Sequence, residues 1–372
     1  MINDMSVSNP STSTVSTDYT QPSVSVVIPT YNEADNIEAI INCFLASSYP
    51  NLLEIVVVDG QSTDGTSDIV KNIAREHPIV RVIENPQRIQ SVGLNIGFKA
   101  CKGDIFLRAD AHCDYGSDYI EQCVLALQQS SALNVGGCQR FVARSPFQAG
   151  IALASRSWLG SGGAKYRDPE YTGYADTVYL GCFKRQALLD IDSSSGAEVF
   201  DTSQITNQDA ELNQRLLDLS PQAIYISSQI KVWYYPRKTW KSLSKQYFKY
   251  GRGRYLTSTK HQGRSQIRGK LPFLFFSTMI LLLIFDLFSP IDLYIKEICV
   301  FGVLLAFIES LRVNLKLRDF TSEIWRGNPQ EVPSFLSRWI TCAIVILTMP
   351  IAHFSGYGYQ TFKNRILFRE GW

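Results

Sequence analysis

The run Asp104-Ile105-Phe106-Leu107-Arg108-Ala109-Asp110-Ala111-His112-Cys113-Asp114 sets a carboxylate and an imidazole two residues apart, directly after a short apolar segment. Side chains two apart on an extended chain share a face, so Asp110 and His112 can converge on one point. Such a pair suits Mn²⁺ or Mg²⁺, with phosphate oxygens completing the shell. It is also compatible with two polar residues in a strand-to-loop turn. A second candidate lies at Asn207-Gln208-Asp209-Ala210-Glu211, which opens a helix whose apolar side carries Leu212, Leu216 and Leu219. An Asp in the first turn meets the positive end of the helix dipole, which favours the ionised form. A carboxylate held so can take a proton from a hydroxyl; it can also be simply an acidic first turn.

The elements that must carry these residues follow from periodicity. Val24-Ser25-Val26-Val27-Ile28 is a β-branched run closed by Pro29, and Glu54-Ile55-Val56-Val57-Val58 and Val80-Arg81-Val82-Ile83 are further strands. Ile105 to Leu107 is the next. Helical spacing appears through Ile37, Ile40, Ile41, Phe44 and Leu45 (opened by Asn32 or Asp35), through Ile69, Val70 and Ile73, and over Ile89 to Ala100. Strands alternate with helices and their apolar runs are continuous, which predicts an α/β fold with a mainly parallel sheet covered on both faces. Ligands collect at the carboxyl ends of such strands. Here those ends are Pro29-Thr30-Tyr31-Asn32-Glu33, Asp59 to Asp64, and Asp110 to His112. Asp64 also reads as a cap for the helix after it. Neither GxGxxG nor GxxxxGK[ST] is present, so a nucleotide must be held by other means, and a metal would serve.

At 372 residues and a net charge of +2 the chain has room for one large domain or two smaller ones, and composition alone points to no acidic partner. The eight cysteines form no CxxC pair, which argues against a zinc knuckle and for reduced, partly buried thiols. Residues 1–22 are polar and rich in Ser and Thr, without an apolar core; we expect an unstructured lead and no secretory signal.

The segments VSVVIPTYNEADNI, EIVVVDGQSTDGT and DIFLRADAHC, in that order, resemble the nucleotide half of glycosyltransferase family 2 enzymes with the GT-A fold. The similarity is to the branch typified by succinoglycan-biosynthesis transferases. It continues in NVGGCQR (134–140), GSGGAKYRD (160–168), DTVYLGCFKR (176–185), NQDAELNQRL (207–216) and QYFKYGRGR (246–254), from about Val24 to Arg254. The resemblance implies that Pro29, Tyr31 and Glu33 line the base and ribose end of a nucleotide-sugar and that Asp59 bonds its uracil or ribose. Arg88 and Asn95 match a stretch bordering the nucleotide, and Asp110 and His112 take the place of the family's DxD. The second Asp is thus a His, which also ligates Mn²⁺. Asp209 falls where the family holds the Asp that deprotonates the acceptor hydroxyl, with Glu211 as fallback. The residue before that base is commonly Glu and here is Gln208. On the acceptor side, Arg167 and Asp168 are possible contacts, and Gly181, in the expected strand Thr177 to Leu180 and its end, would let a sugar ring approach. Gly160, Gly162 and Gly163 suggest a mobile or tightly turned loop. Gln246 to Arg252 resembles the family's QxxRW element without its Arg-Trp; Gln246 would meet acceptor sugar, and Arg252 or Arg254 the diphosphate, or these cations meet lipid headgroups.

From Arg237 to Lys270 the chain carries many Lys and Arg and no Asp or Glu, with Trp240, Leu243, Tyr247 and Tyr250 interleaved. A basic, aromatic helix suits an anionic membrane surface. Nucleic acid is disfavoured by the apolar runs at Leu271–Phe288, Leu293–Ile308 and Phe335–Phe354, each a candidate span. Positive charge before the first span predicts a cytoplasmic catalytic domain. A third full span would carry Lys363, Arg365 and Arg369 outside, against the charge rule, unless one segment re-enters.

The expected organisation is therefore a lead (1–22), a GT-A domain (23–236), a basic interfacial segment (237–270) and a helical membrane region (271–372). The expected activity is inverting transfer of a hexose, glucose-type, from a UDP-sugar to a lipid-linked saccharide in exopolysaccharide assembly, at a multi-pass cell-membrane protein. Two other readings remain: a polyprenyl-phosphate hexosyltransferase, whose phosphate acceptor needs no base, and a catalytically silent membrane protein that binds nucleotide-sugar.

Overall fold

The computed structural model describes residues 21–195, 198–261, 269–289, 293–317, 319–369 and 371–372. Nearly all of the expected unstructured lead, and residues 262–268 of the basic segment, lie outside these. The elements, in chain order, are β1 (Val24–Thr30), α1 (Ile37–Leu45), β2 (Leu52–Asp59), α2 (Thr66–Glu76), β3 (Val80–Glu84), α3 (Gln90–Ala100), β4 (Ile105–Arg108), β5 (Cys113–Tyr115) and α4 (Tyr119–Gln129). Then come β6 (Asn134–Phe141), α5 (Pro146–Ser155), α6 (Trp158–Ser161), β7 (Gly173–Tyr174), β8 (Tyr179–Lys184), α7 (Arg185–Ser195), α8 (Gln208–Leu219) and β9 (Ile224–Tyr234). The C-terminal part is helical: α9 (Trp240–Lys260), α10 (Leu271–Phe288), α11 (Ile295–Lys316), α12 (Phe320–Glu323) and α13 (Phe335–Arg365).

One sheet runs β3-β2-β1-β4-β8-β6-β9-β5, with β7 beside β9. The expected parallel arrangement holds from β3 to β4. Beyond β4 the sheet is mixed: β8 is antiparallel to β4 and β6, β5 is antiparallel to β9, and β6 with β9 is parallel. Parallel neighbours need crossover helices, and β4 reaches β5 through only the tight turn at 109–112, so strict alternation ends there. Apolar clusters cover both faces of the sheet, one including Val26, Ile28, Ile55 and Leu107, the other Val27, Val56, Phe106 and Phe183. That two-sided burial is why these strands lack apolar–polar alternation.

Local corrections are small and physical. Helix α1 opens at Asn36, because Asn32 adopts a positive φ and its Oδ1 accepts from Thr63 N at 2.9 Å. Asp64 accepts from Thr66 N and Oγ1 and from Ala34 N, bracing the start of α2 from one residue before the cap position, which is Gly65 rather than Asp64. Gly160 lies in the short helix α6, while Gly162 and Gly163 supply the positive φ that ends it.

Helix α10 has no buried side chain and exposes Leu274, Phe275, Leu281, Phe285 and Phe288. An apolar surface all round is a lipid-facing pattern. By length and composition α10, α11 and α13 could each cross a membrane. Helix α13 has a second character: α9 runs along it. Trp240 Nε1 donates to Thr348 Oγ1 at 2.9 Å, Arg252 Nε donates to Gln360 Oε1 at 2.8 Å, and Tyr255 stacks edge-on with Tyr357 at 5.4 Å. The helices meet backbone to backbone where Gly251 faces the His353 carbonyl and Gly356 faces that of Phe248. A methyl group at either glycine would occupy the position of the facing carbonyl. We therefore expect Gly356→Ala to lower stability by about 1–3 kcal/mol, read as a lower melting temperature of the detergent-purified chain. Ala at the exposed Gly302, where nothing lies within 4 Å, should leave the melting temperature unchanged.

Candidate active site

A cavity of about 780 Å³ opens at the carboxyl ends of β1 to β4. Pro29, Tyr31 and Glu33 after β1, Gly60 after β2, Arg88 and Gln90 after β3, and Asp110 and His112 after β4 all line it. Parallel register explains the convergence: β1 pairs with β2 over its whole length and with β4 from Val24 to Val27, so the three turns emerge on the same edge. The wall opposite is formed by Arg144, Gln148, Tyr234, Tyr235, Arg237 and Lys238. Gln148, the most buried of these at 2% exposure, ties the wall together, accepting from Arg144 N at 3.0 Å and donating to Pro236 O at 2.7 Å.

Within the cavity His112 Nδ1 stands 3.8 Å from Glu33 Oε1 and its ring lies edge-on to Tyr234 at 5.5 Å. Burial raises the Glu33 pKa, but donors from His112 and Asn36 outweigh it and leave Glu33 below the ordinary carboxylate value. Asp110 is 7% exposed, and its Oδ1 accepts from Arg108 and from Gln90, both at 3.4 Å. Among the described residues no three His, Cys, Asp or Glu side chains close into a ready metal cage. A carboxylate with one imidazole still fits Mn²⁺ or Mg²⁺, provided diphosphate oxygens fill the remaining positions.

Arg108 joins this turn to the second candidate. Its side chain, 5% exposed at the end of β4, donates from NH1 to Asp209 Oδ1 at 2.5 Å and from NH2 to Asp110 Oδ1 at 3.4 Å. Burial works against its charge, yet the two carboxylates more than restore it and raise the pKa above that of free Arg. Asp209 itself is 43% exposed, in the first turn of α8, and does not line the cavity. One carboxylate oxygen is thus anchored and the other faces outward. The turn before α8 is fixed from α9: Thr206 Oγ1 donates to Lys249 O at 3.0 Å and Asn207 Nδ2 to Tyr250 O at 3.1 Å.

The family model for glycosyl transferase family 2 matches residues 25–184. The chain is 36% identical over 259 residues to the succinoglycan biosynthesis protein ExoA of Rhizobium meliloti, covering 69% of this chain and 76% of that protein. The chain belongs to glycosyltransferase family 2. It is also 27% identical over 305 residues, 80% of this chain and 89% of the relative, to a dolichyl N-acetyl-α-D-glucosaminyl phosphate diacetamido-dideoxy-glucuronosyltransferase of Methanococcus voltae. In fold it is similar to a mannosyltransferase of Pyrobaculum calidifontis solved with GDP-Man and Mn²⁺, with a TM-score of 0.56 at 17% identity over 90% of this chain and 87% of that one. The α/β domain is thus a GT-A fold followed by a helical C-terminal region.

In this family 2 transferase several expected contacts have other partners. Asp59 is 3% exposed and accepts from Ser62 N and Oγ, shaping the turn beside the cavity. Asn95 is buried; its Oδ1 accepts from Phe200 N at 2.9 Å and its Nδ2 donates to Phe200 O at 2.7 Å. Gly181 has φ +100°, and the groups crowding it are the Phe183 ring and Asn134 rather than open cleft. Its strand starts at Tyr179, later than the sequence pattern indicated. Arg167 packs over the rings of Phe141 and Tyr166, and Asp168 accepts from Glu170 N in a local turn. Arg252 lies over Tyr359 and Trp372 and bonds Gln360; the flank of Arg254 lies against Gly269. Gln246 donates to Tyr250 OH at 2.8 Å and, more weakly, to Tyr234 OH behind the cavity wall. Glu211, the fallback base, is fully buried among Arg215, Lys260 and His261, where no acceptor can reach it.

Arg108, Gln90 and Arg144 carried no expected role, and Arg237 and Lys238 were expected at a membrane surface rather than in the cavity lining. Only Arg108 had a legible signal: an Arg inside the apolar run Ile105–Ala109 must find anionic partners when buried. Because both Asn95 amide atoms hold Phe200, Asn95→Ala should cost about 1–3 kcal/mol in thermal or denaturant unfolding. The KM for donor should stay as in wild type; a raised KM at unchanged stability would return Asn95 to the nucleotide.

Proposed function

We propose that the protein is a membrane-anchored, metal-dependent, inverting glycosyltransferase that moves a hexose from a UDP-sugar to a lipid-linked saccharide in cell-surface polysaccharide assembly. The observation carrying this is the Asp110–Arg108–Asp209 bridge, which sets a base-capable carboxylate beside a cavity suited to a nucleotide diphosphate. Pro29, Tyr31, Glu33 and Arg88 line that cavity with Asp110 and His112, and Arg88 also donates to Gln61 and lies over the Tyr31 ring at 5.9 Å. A divalent ion held by Asp110 and His112 would supply charge that offsets the negative charge developing on the leaving diphosphate. Arg144, Arg237 and Lys238 add positive charge in the same cavity. Arg108 holds one oxygen of Asp209 and leaves the other to accept the proton of the attacking hydroxyl. One base and no carboxylate nucleophile correspond to a single displacement with inversion. The Methanococcus voltae relative, named for a dolichyl-linked sugar phosphate, supports a lipid-linked acceptor.

The contacts of α9 support a membrane placement. Its cations Lys241, Lys245, Lys249 and Arg252 accompany α13 from Thr348 to Gln360, so that part of α13 cannot sit in hydrocarbon. Helix α13 then lies in the membrane surface. Its outward stripe of Leu336, Ile340, Ile344, Ile351 and Phe362 faces lipid. Helices α10 and α11 make the two crossings, and Lys363, Arg365 and Arg369 stay with the catalytic domain in the cytoplasm, as the charge rule asks.

Detergent-purified protein with a panel of UDP- and GDP-sugars should turn over one UDP-hexose, lose turnover in EDTA and regain it with Mn²⁺ or Mg²⁺. NMR of a product made from an α-linked donor should show a β-linkage. Asp209→Asn should lower kcat by about 10²–10⁴-fold while UDP still binds. Transfer surviving that change would point to a lipid phosphate acceptor, and metal-dependent binding without any turnover to a silent sensor. A reporter fused after Trp372 should report the cytoplasmic side; an external signal would make α13 a third span.

A further inference from the structure

We propose that Gln90, Gln208 and Arg108 form a directional hydrogen-bond bridge that fixes Asp209 relative to Asp110, and that this bridge requires an amide, not a carboxylate, at position 208. The inference rests on the roles given above to Asp209 and Asp110.

The direction follows from donor and acceptor chemistry. An ionised carboxylate only accepts, and Asp110 Oδ1 already faces the Arg108 cation. Gln90 must therefore turn its NH₂ toward Asp110, leaving its carbonyl pointing away. That carbonyl is met at 2.9 Å by Gln208 Nε2. Position 208 must donate, which Gln does and an ionised Glu cannot. Gln208 and Arg108 are each 4% exposed and Asp110 is 7% exposed, so a reversed dipole at position 208 acts at low dielectric.

Gln208 and Asp209 are consecutive residues in the first turn of α8. Each reaches the same oxygen of Asp110 by its own route, one through Gln90 and the other through Arg108. Two routes from one helix terminus to one atom restrain the terminus in translation and in rotation, which a single contact would not. The amide at 208, where resembling enzymes commonly carry Glu, is on this account the residue that lets Gln90 serve Asp110. Gln90, Gln208 and Arg108 are positioning residues: they act through Asp110 and Asp209.

The test uses the full chain in detergent, with Mn²⁺ binding followed by electron paramagnetic resonance in the presence of UDP, alongside kcat, donor KM and melting temperature. Gln208→Glu should lower Mn²⁺ affinity and kcat by about 10–100-fold with the melting temperature held. Adding Gln90→Lys to Gln208→Glu should recover about tenfold or more of that loss, because an ammonium donates to both flanking carboxylates. Wild-type Mn²⁺ affinity and kcat in Gln208→Glu would overturn the proposal, as would a double variant no better than the single one. Should Gln208→Glu fail to fold, Gln90→Leu removes the same donor without adding charge, and unchanged Mn²⁺ affinity there overturns the bridge equally. Failure of the base assignment is separate: it shows as transfer retained in Asp209→Asn, whatever the Mn²⁺ result at position 208.

Discussion

A single buried cation holds this site together. Arg108 ends a strand of the central sheet, and its guanidinium spans two carboxylates from distant parts of the chain, Asp110 in the next turn and Asp209 in α8. Removing a charge of this kind from water costs several kcal/mol unless partners are well placed. Both carboxylates are so placed, and each restricts the other through the rigid fork between them. The strand end, the cavity floor and the start of α8 are therefore linked through one side chain. A carboxylate presented on a helix terminus gains from that restraint, since helix ends fray and their first turn is held by few bonds.

A second chain of contacts runs from that helix through α9 to α13. The residues before α8 bond backbone carbonyls of α9, and Gly253 of α9 packs directly on Thr206 and Asn207. Helix α9 in turn meets α13 through the paired glycines, where no side chain could fit between the backbones. Helix α5 approaches α13 in the same manner, with Gly150 against Thr341. The α/β domain is thus seated on a helix whose outer stripe is apolar.

Much of this was legible in the chain alone. Continuous β-branched runs closed by polar turns specify buried parallel strands, and the carboxyl-end rule then points to residues 29–33, 59–64 and 110–112 as one cleft, which is where the cavity lies. The largely apolar run of α10 and the acid-free stretch before it were visible as a candidate membrane region. Gln208-Asp209 at a helix start was equally visible. These are local properties: strand and helix periods, turn chemistry and hydropathy are written within a few residues of where they act.

What the tertiary structure decided are the pairings between residues far apart in the chain. Asp209 and Arg108 are separated by 101 positions, Gln208 and Gln90 by 118, and Asn95 and Phe200 by 105. No local pattern states which of several plausible polar residues turns inward to a partner and which turns to the cleft; Asn95, Arg167, Gly181 and Arg252, expected at a substrate, have partners within the fold. The same holds for α13, whose length and hydropathy match a span while its neighbour α9 is polybasic. Residue type sets what a side chain can bond; only the packed fold decides which partner satisfies it, because burial makes each donor and acceptor find one.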